Sequence, residues 1–279
     1  MIDQRIVKLT IDLADGSSFS YQNLAITING EYFYNPISAP AIITVANLDA
    51  DTRNKIVTLA SPTFNPSNTN NFATLEVGRE STGSSLLFRG RIFWSSVSQA
   101  PDNVLTIQCF AGGELKGLMS TVSLHNVNLS QIAKRLADRI GKRLVFTAPD
   151  YTISNYSYSG NRYDELNYFY KIVNNNANSV NIRVYIDNES LYVKTAGEFS
   201  NTLDISEDSG LVGIPQLTQF GAVISFLYTR NVSVATRIRL TSKQYPYMNG
   251  DYQIYSLQYN ITNRDVPFYF IAQTQRLMN

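Results

Sequence analysis

Hydrophobic and polar residues alternate through much of the first 110 residues, as they do in β-strands that bury one face. Residues 6–13 alternate most regularly, and similar or β-branched runs follow at 41–48, 72–77, 86–97 and 104–110. The dipeptide Asn29-Gly30 separates two further strand-like runs and predicts a tight hairpin turn. The pattern therefore predicts about seven strands and no helix in this region, arranged as a sandwich or a barrel.

The hydrophobic period changes from two to about 3.6 in the middle of the chain. A helix is predicted over 129–140, because apolar residues recur on one face at Leu129, Ile132, Ala133, Leu136, Ala137 and Ile140. Asn128 is a suitable N-cap for this helix, and Gly141 a suitable residue just past its end. A second helix is predicted over 162–174, followed by a β-hairpin between 182 and 193.

Strand-like patterns return in the last part of the chain, at 222–228, 236–242, 252–260 and 268–274. The predicted fold is therefore mainly β and α+β overall, with two similar antiparallel β-barrel or sandwich domains and a small α+β insertion between them. We assign residues 1–113 to the first β-barrel domain, 114–202 to the insertion and 203–279 to the second β-barrel domain. The sequence match between the two β regions is too weak to prove a duplication.

Charged residues make up only 16% of the chain, below the roughly 25% of an average soluble domain. The chain also contains 18 tyrosines and 14 phenylalanines. Few charges and many tyrosines are typical of buried protein interfaces, although an ordinary Tyr-rich β protein accounts for the composition equally well. The net charge of +1 gives no basis for tight binding of nucleic acid.

Candidate residues for catalysis are few. Cys109 and His125 are the only cysteine and histidine, which excludes an internal disulfide and the usual Cys- or His-based metal sites. Cys109 alternates with apolar neighbours and is expected to be buried. The acidic residues show no spacing that marks a catalytic pair; the ones considered are Glu76, Glu80, Asp164, Glu165, Glu207 and Asp208. We therefore predict no enzymatic activity, and no catalytic, cofactor or metal site.

Tyrosines cluster between residues 151 and 170, at Tyr151, Tyr156, Tyr158, Tyr163, Tyr168 and Tyr170. Such a cluster can form part of a hydrophobic core, stack against sugars, or lie in a subunit interface. The sequence leaves these three interpretations open. It carries no secretion signal at its start and no run of about 18 apolar residues, so we expect a protein kept in a cytoplasm or built into a particle there.

The order of several motifs resembles the central hub proteins of contractile-tailed phage baseplates, which are related to the hub part of type VI secretion spike proteins. The stretches that carry the resemblance are 46–48 with 73–78, 87–92 with 101–109, and 209–216, together with the helix of 129–140 and the segment 156–160. Within them, Gly90 is expected to permit a β-bulge. The resemblance covers nearly the whole chain. It rests on the order in which the motifs occur, since no single motif is specific to these proteins.

The resemblance implies a structural function without catalysis. It implies a homotrimer whose six β-domains form a pseudo-sixfold ring, joining the tail tube to the threefold central spike and passing the tape measure protein and DNA. Neighbouring baseplate proteins are further expected partners, and the expected location is the virion tail after assembly in the host cytoplasm. The chain ends just after its last predicted strand, so the spike is expected to be a separate chain. Two rival hypotheses are a carbohydrate-binding receptor-recognition tail protein and a cell-wall hydrolase.

Overall fold

The computed structural model describes residues 3–33, 39–61, 64, 71–98, 103–112, 115, 118–175, 182–187 and 190–277. The first elements are β1 (Arg5–Asp12), β2 (Ser18–Tyr21), β3 (Ile26–Phe33), β4 (Pro40–Ala46), α1 (Ala50–Ala60), β5 (Phe72–Arg79), β6 (Gly83–Val97) and β7 (Val104–Phe110). They are followed by β8 (Met119–Asn128), α2 (Leu129–Arg139), β9 (Arg143–Phe146), β10 (Thr152–Asn161), α3 (Arg162–Asn175), β11 (Ile182–Ile186) and β12 (Ser190–Thr195). The last are β13 (Asn201–Ser206), β14 (Gln216–Leu217), β15 (Gly221–Leu227), β16 (Thr236–Thr241), β17 (Gly250–Thr262) and β18 (Phe268–Arg276).

The chain divides into two compact units. Unit 1 combines residues 1–32, 39–111 and 200–279, and unit 2 consists of 33–38 and 112–199. Unit 1 contains one sheet in the strand order β14-β15-β18-β17-β3-β4-β7-β6-β5-β1-β2, with β16 paired to β17 and β13 paired to β16. The predicted fold class, mainly β and α+β overall, is confirmed. The assignment of 1–113 and 203–279 to two separate, similar barrels remains a prediction.

The two β regions of unit 1 meet where β17 lies beside β3. Side chains reinforce this junction: the Ile26 N–H donates to Asn263 Oδ1 at 3.0 Å, and Thr27 Oγ1 is 3.3 Å from Thr262 Oγ1. Buried aliphatic and aromatic residues alternate along both strands, as the sequence pattern predicts for a sheet with one face in the core. The first and last parts of the chain therefore belong to one continuous sheet.

The predicted hairpin turn at Asn29-Gly30 is wrong, because β3 runs straight through it. Asn29 pairs with Ile42 and Gly30 with Ala41 in a regular antiparallel ladder with β4. Gly30 is needed for close packing and not for a turn, since a Cβ atom there would lie 2.1 Å from Tyr259 Oη. A glycine inside a strand often marks such a close approach of another group.

The prediction of no helix in the first β region is also wrong. Helix α1 begins after Asp49, whose Oδ1 accepts a hydrogen bond from the Thr52 N–H at 2.8 Å. The helix packs against β6 and buries Ile56 and Ala60. Only two buried positions and several β-branched residues give this segment a weak helical signal, so its tertiary contacts decide its structure.

Unit 2 matches the predicted α+β elements closely. Helix α2 buries the predicted apolar face, and the Asn128 N–H donates to Gln131 Oε1 at 3.4 Å at its N-terminus. Gly141 follows the helix with a φ of 66°, as expected for a C-terminal glycine. Helix α3 buries Leu166, Phe169 and Val173 in the same core. Strands β8 and β10 form a long antiparallel pair, and β11, β12 and β9 form a second sheet in which β9 and β12 are parallel.

Candidate functional site

The two residues with the most reactive side chains occupy structural positions. Cys109 is buried in β7, and this burial raises the pKa of its thiol, so the nucleophilic thiolate is not formed. His125 lies on β8, where its Nδ1 is 2.5 Å from Asn155 Oδ1 on the paired strand β10. This contact holds the imidazole against the neighbouring strand, and Asn155 supplies no nucleophile for a catalytic triad.

Five of the six acidic residues considered from the sequence make structural contacts, and the neighbours Glu207 and Asp208 both contact Lys243. Glu76 pairs with Lys8 across β5 and β1 at 3.4 Å, and Asp208 pairs with Lys243 at 2.6 Å. Glu207 Oε1 accepts hydrogen bonds from Ser242 Oγ and the Lys243 N–H, at 2.7 and 2.9 Å. Among the described residues, no group of three or more histidine, cysteine or acidic side chains is arranged to hold a metal ion.

Glu165 is the most deeply buried of these acids, with only 1% of its side chain exposed. Its Oε2 accepts a hydrogen bond from Ser120 Oγ and lies 3.5 Å from Arg139 Nη1. The interaction links β8, α2 and α3, and so it stabilises unit 2. Asp164, the residue before Glu165, lies in the first turn of α3. The Asp164 N–H donates a hydrogen bond to Asn161 Oδ1 at 2.8 Å.

The Tyr-rich segment of 151–170 packs against the core of unit 2. Tyr156 is fully buried, and the Tyr168 ring lies 5.6 Å from the Tyr156 ring and 5.5 Å from the Tyr158 ring. Tyr151, Tyr163 and Tyr170 are partly buried against the same hydrophobic cluster. Of the three interpretations left open by the sequence, the structure supports a core role for Tyr156, and the other five rings keep part of their surface exposed.

The clearest surface feature of unit 1 is a group of exposed apolar residues on the outer face of β4, β7 and β6. Ile42, Phe93 and Trp94 are 45%, 59% and 40% exposed, and we call them the bulge patch. Ile42 and Trp94 both pair with Gln108, so they flank it on neighbouring strands. The Phe93 ring packs edge-on against Phe110 at 5.7 Å.

A β-bulge creates this patch. The register between β6 and β7 shifts between Ile92 and Trp94, which makes Phe93 an extra residue without its own cross-strand partner. The bulge lets Phe93 and Trp94 both face outward and returns Ser95 to the buried face. The bulge expected at Gly90 is wrong: Gly90 pairs regularly with Ala73, and its lack of a side chain makes room for the Phe88 ring.

A second exposed apolar group lies at the β14 end of the sheet. Ile214, Leu217 and Phe220 are 54%, 71% and 63% exposed, and we call them the edge patch. Leu217 belongs to the two-residue strand β14, and Phe220 lies in the turn between β14 and β15. Exposed apolar side chains at a sheet edge favour association with another surface.

Neither patch was identified from the sequence. The adjacent aromatic residues Phe93 and Trp94 interrupt the alternation of hydrophobic and polar residues in β6, and that interruption is the signal of a bulge. Residues 214–220 gave no comparable signal, because the segment is short and only its place at the end of the sheet exposes it. None of the helices in the described part of the chain is long and apolar enough to cross a bilayer.

The fold is that of phage tail and type VI secretion spike-related proteins. A 43 kDa tail protein of prophage MuSo2 from Shewanella oneidensis superposes with a TM-score of 0.66 at 9% identity, covering 96% of each chain. A tail protein from Neisseria meningitidis MC58 gives 0.64 at 8% identity, covering 97% of this chain and 96% of that one. The Escherichia coli type VI secretion component c3393 gives 0.63 at 8% identity, covering 96% of this chain and 77% of that one.

Sequence comparison identifies the family. Residues 6–274 match the family model of the baseplate hub protein gp41, and the chain therefore belongs to that family. No curated protein sequence is significantly similar to it. The resemblance to baseplate hubs seen in the sequence motifs is confirmed. The chain is a structural component of a phage tail baseplate, and the structural neighbours named above are two tail proteins and a type VI secretion component.

Proposed function

We propose that this chain is the central hub of the baseplate, forming a homotrimeric, pseudo-sixfold ring that joins the tail tube to the threefold central spike. The tape measure protein and later the DNA pass through the ring. The single observation that carries the proposal is the family match, which extends over residues 6–274 and so includes both β regions. The tail tube, the spike, the tape measure and neighbouring baseplate proteins are the proposed partners, and assembly takes place in the host cytoplasm.

The physical properties of unit 1 support a binding function. Its bulge patch and edge patch expose apolar side chains. Only 16% of the residues are charged, so charge repulsion opposes association with other surfaces only weakly. The near-neutral charge suits a ring through which DNA passes, because a strongly basic surface would hold the phosphates. The acidic side chains Glu76, Glu165, Glu207 and Asp208 are engaged in structural contacts, which fits a protein that acts by binding other subunits.

The number of copies in the virion tests this proposal. Quantitative mass spectrometry of purified tails, calibrated with isotope-labelled peptides of this chain and of the tube protein, is expected to give three copies per baseplate. Six copies would contradict a threefold adaptor, and so would a single copy. A parallel binding experiment with purified tube and spike proteins is expected to recover a complex containing all three chains, whereas failure to bind either protein would also contradict the proposal.

A further inference from the structure

The bulge patch and the edge patch are distinct surfaces of the same unit. In the strand order of the sheet, β14 is separated from β7 by six pairing steps, which corresponds to about 29 Å along the sheet at about 4.8 Å per step. The two patches therefore lie on different strands of the sheet. Each exposes three large side chains, on the order of 300 Å² of apolar surface, which is within the range of the largest apolar patch on a typical monomer, and such patches are often functional.

We infer that the bulge patch of one copy binds the edge patch of the next copy, so that the occupant of each patch is a second copy of this chain. This inference rests on the proposed trimer and names the surfaces that build it. A ring closes only through head-to-tail contacts, in which each copy offers two different surfaces. An isologous dimer would bury one patch against itself and leave the other exposed on both copies.

The areas fit this arrangement. Joining the two patches places about 600 Å² of apolar surface at the centre of one contact, as the hydrophobic core of an interface of about 1,600 Å² in total. Phe93 and Trp94 give the bulge patch two adjacent aromatic rings, the residue type that most often dominates binding energy. Leu217 and Phe220 project from a short strand and its turn at the end of the sheet, where another chain can approach without displacing a neighbouring strand.

Cysteine cross-linking tests the pairing directly, since the one natural cysteine, Cys109, is buried. Two single variants, Trp94→Cys and Leu217→Cys, are purified separately and oxidised alone or as a subunit-exchanged mixture. A covalent dimer is expected in the mixture and not in either variant alone. A mixture of Trp94→Cys with Val266→Cys, which alters an 86% exposed loop residue outside both patches, provides the matched control and is expected to remain uncross-linked.

The other outcomes overturn the inference in distinguishable ways. A dimer of Trp94→Cys alone would indicate an isologous contact. Absence of cross-linking in every sample, while sedimentation velocity shows a trimer, would place the interface elsewhere and leave the proposed function intact. A wild-type chain that is monomeric at all concentrations in solution, and present as a single copy per baseplate in purified tails, would overturn the proposed trimer itself. Sedimentation of Phe93→Ser adds a second measurement: it is expected to shift towards the monomer, with an unchanged circular dichroism spectrum.

Discussion

The Tyr259 ring lies directly against Gly30, so closely that a Cβ atom on Gly30 would be 2.1 Å from Tyr259 Oη and 2.3 Å from its Cζ. Tyr259 belongs to β17 and Gly30 to β3, so this contact joins the last and first β regions of the chain. Tyr259 is almost completely buried and cannot swing away into solvent. The absence of one side chain therefore allows β3 and β17 to lie side by side with the Tyr259 ring packed over Gly30.

Gly30→Ala is expected to destabilise the protein by about 1–3 kcal/mol, as overpacking of a close-packed core does. The measurement is chemical unfolding, with Asn29→Ala on the exposed face of the same strand as the control. Combined with Tyr259→Leu, the same change is expected to cost less than the sum of the two single variants, because the smaller side chain leaves room for the methyl group. Additive effects of the two changes would show that the Gly30 contact does not limit packing.

Deletion of Phe93 is expected to be tolerated, although deletions inside a strand usually destroy its register. Removing the extra residue of the bulge leaves Ile92 opposite Cys109 and Trp94 opposite Gln108, as they are now. Deletion of Ser95 provides the comparison, since it turns every later residue of β6 to the opposite face. Thermal unfolding followed by circular dichroism should show a cooperative transition for the first variant and its loss for the second; equal damage from both deletions would argue against the assigned bulge.

Asn71→Ala is expected to cost about 1–3 kcal/mol, because it removes two hydrogen bonds to backbone groups of other segments, each contributing about 0.5–1.5 kcal/mol. Asn71 is buried; its Nδ2 donates to the Leu59 carbonyl oxygen and its Oδ1 accepts from the Ala14 N–H, both at 3.0 Å. The side chain therefore ties the end of α1 to the turn after β1. Urea unfolding of Asn71→Ala beside the exposed variant Asn23→Ala measures the difference, and equal midpoints would refute this role.

Glu207 is expected to make stability depend on pH in the acid range. Hydrogen bonds from Ser242, and then from backbone N–H groups, lower the pKa of Glu207 from its ordinary value of 4.5 to about 2. Because the folded-state pKa is the lower one, this stabilisation is complete above pH 4.5 and is lost as the pH falls towards 2. Urea midpoints measured between pH 5 and pH 2 are expected to fall more steeply for the wild type than for Glu207→Gln, and parallel curves would contradict the assignment.

Local patterns in the sequence predicted the elements whose hydrophobic period is regular. The face of α2 and the strands of the last β region were predicted because burial follows a period of about 3.6 or two in each. Helix α1 was missed because its position depends on packing against β6, and Asn29-Gly30 was misread because its close neighbour, Tyr259, lies more than two hundred residues away. Contacts between such distant residues leave no local pattern.

The candidate surfaces were harder to predict than the fold. Exposure of Phe93 and Trp94 depends on one extra residue in β6, and exposure of Leu217 depends on β14 being the end of the sheet. The sequence correctly indicated that Cys109 would be buried. It could not locate a contact surface, because an apolar residue on a strand has the same pattern whether it faces the core or a partner.

The pairing of β3 with β17 also sets the order in which the protein can mature. Unit 2, made of 33–38 and 112–199, is complete in the chain before β13 to β18 and can fold while the ribosome is still translating the rest. The large sheet cannot be completed before β17 and β18 have been synthesised, because it pairs strands from the first and last parts of the chain. Such long-range pairing is slow. The edge patch forms only then, so a nascent chain cannot offer that surface to another copy before its synthesis is almost finished.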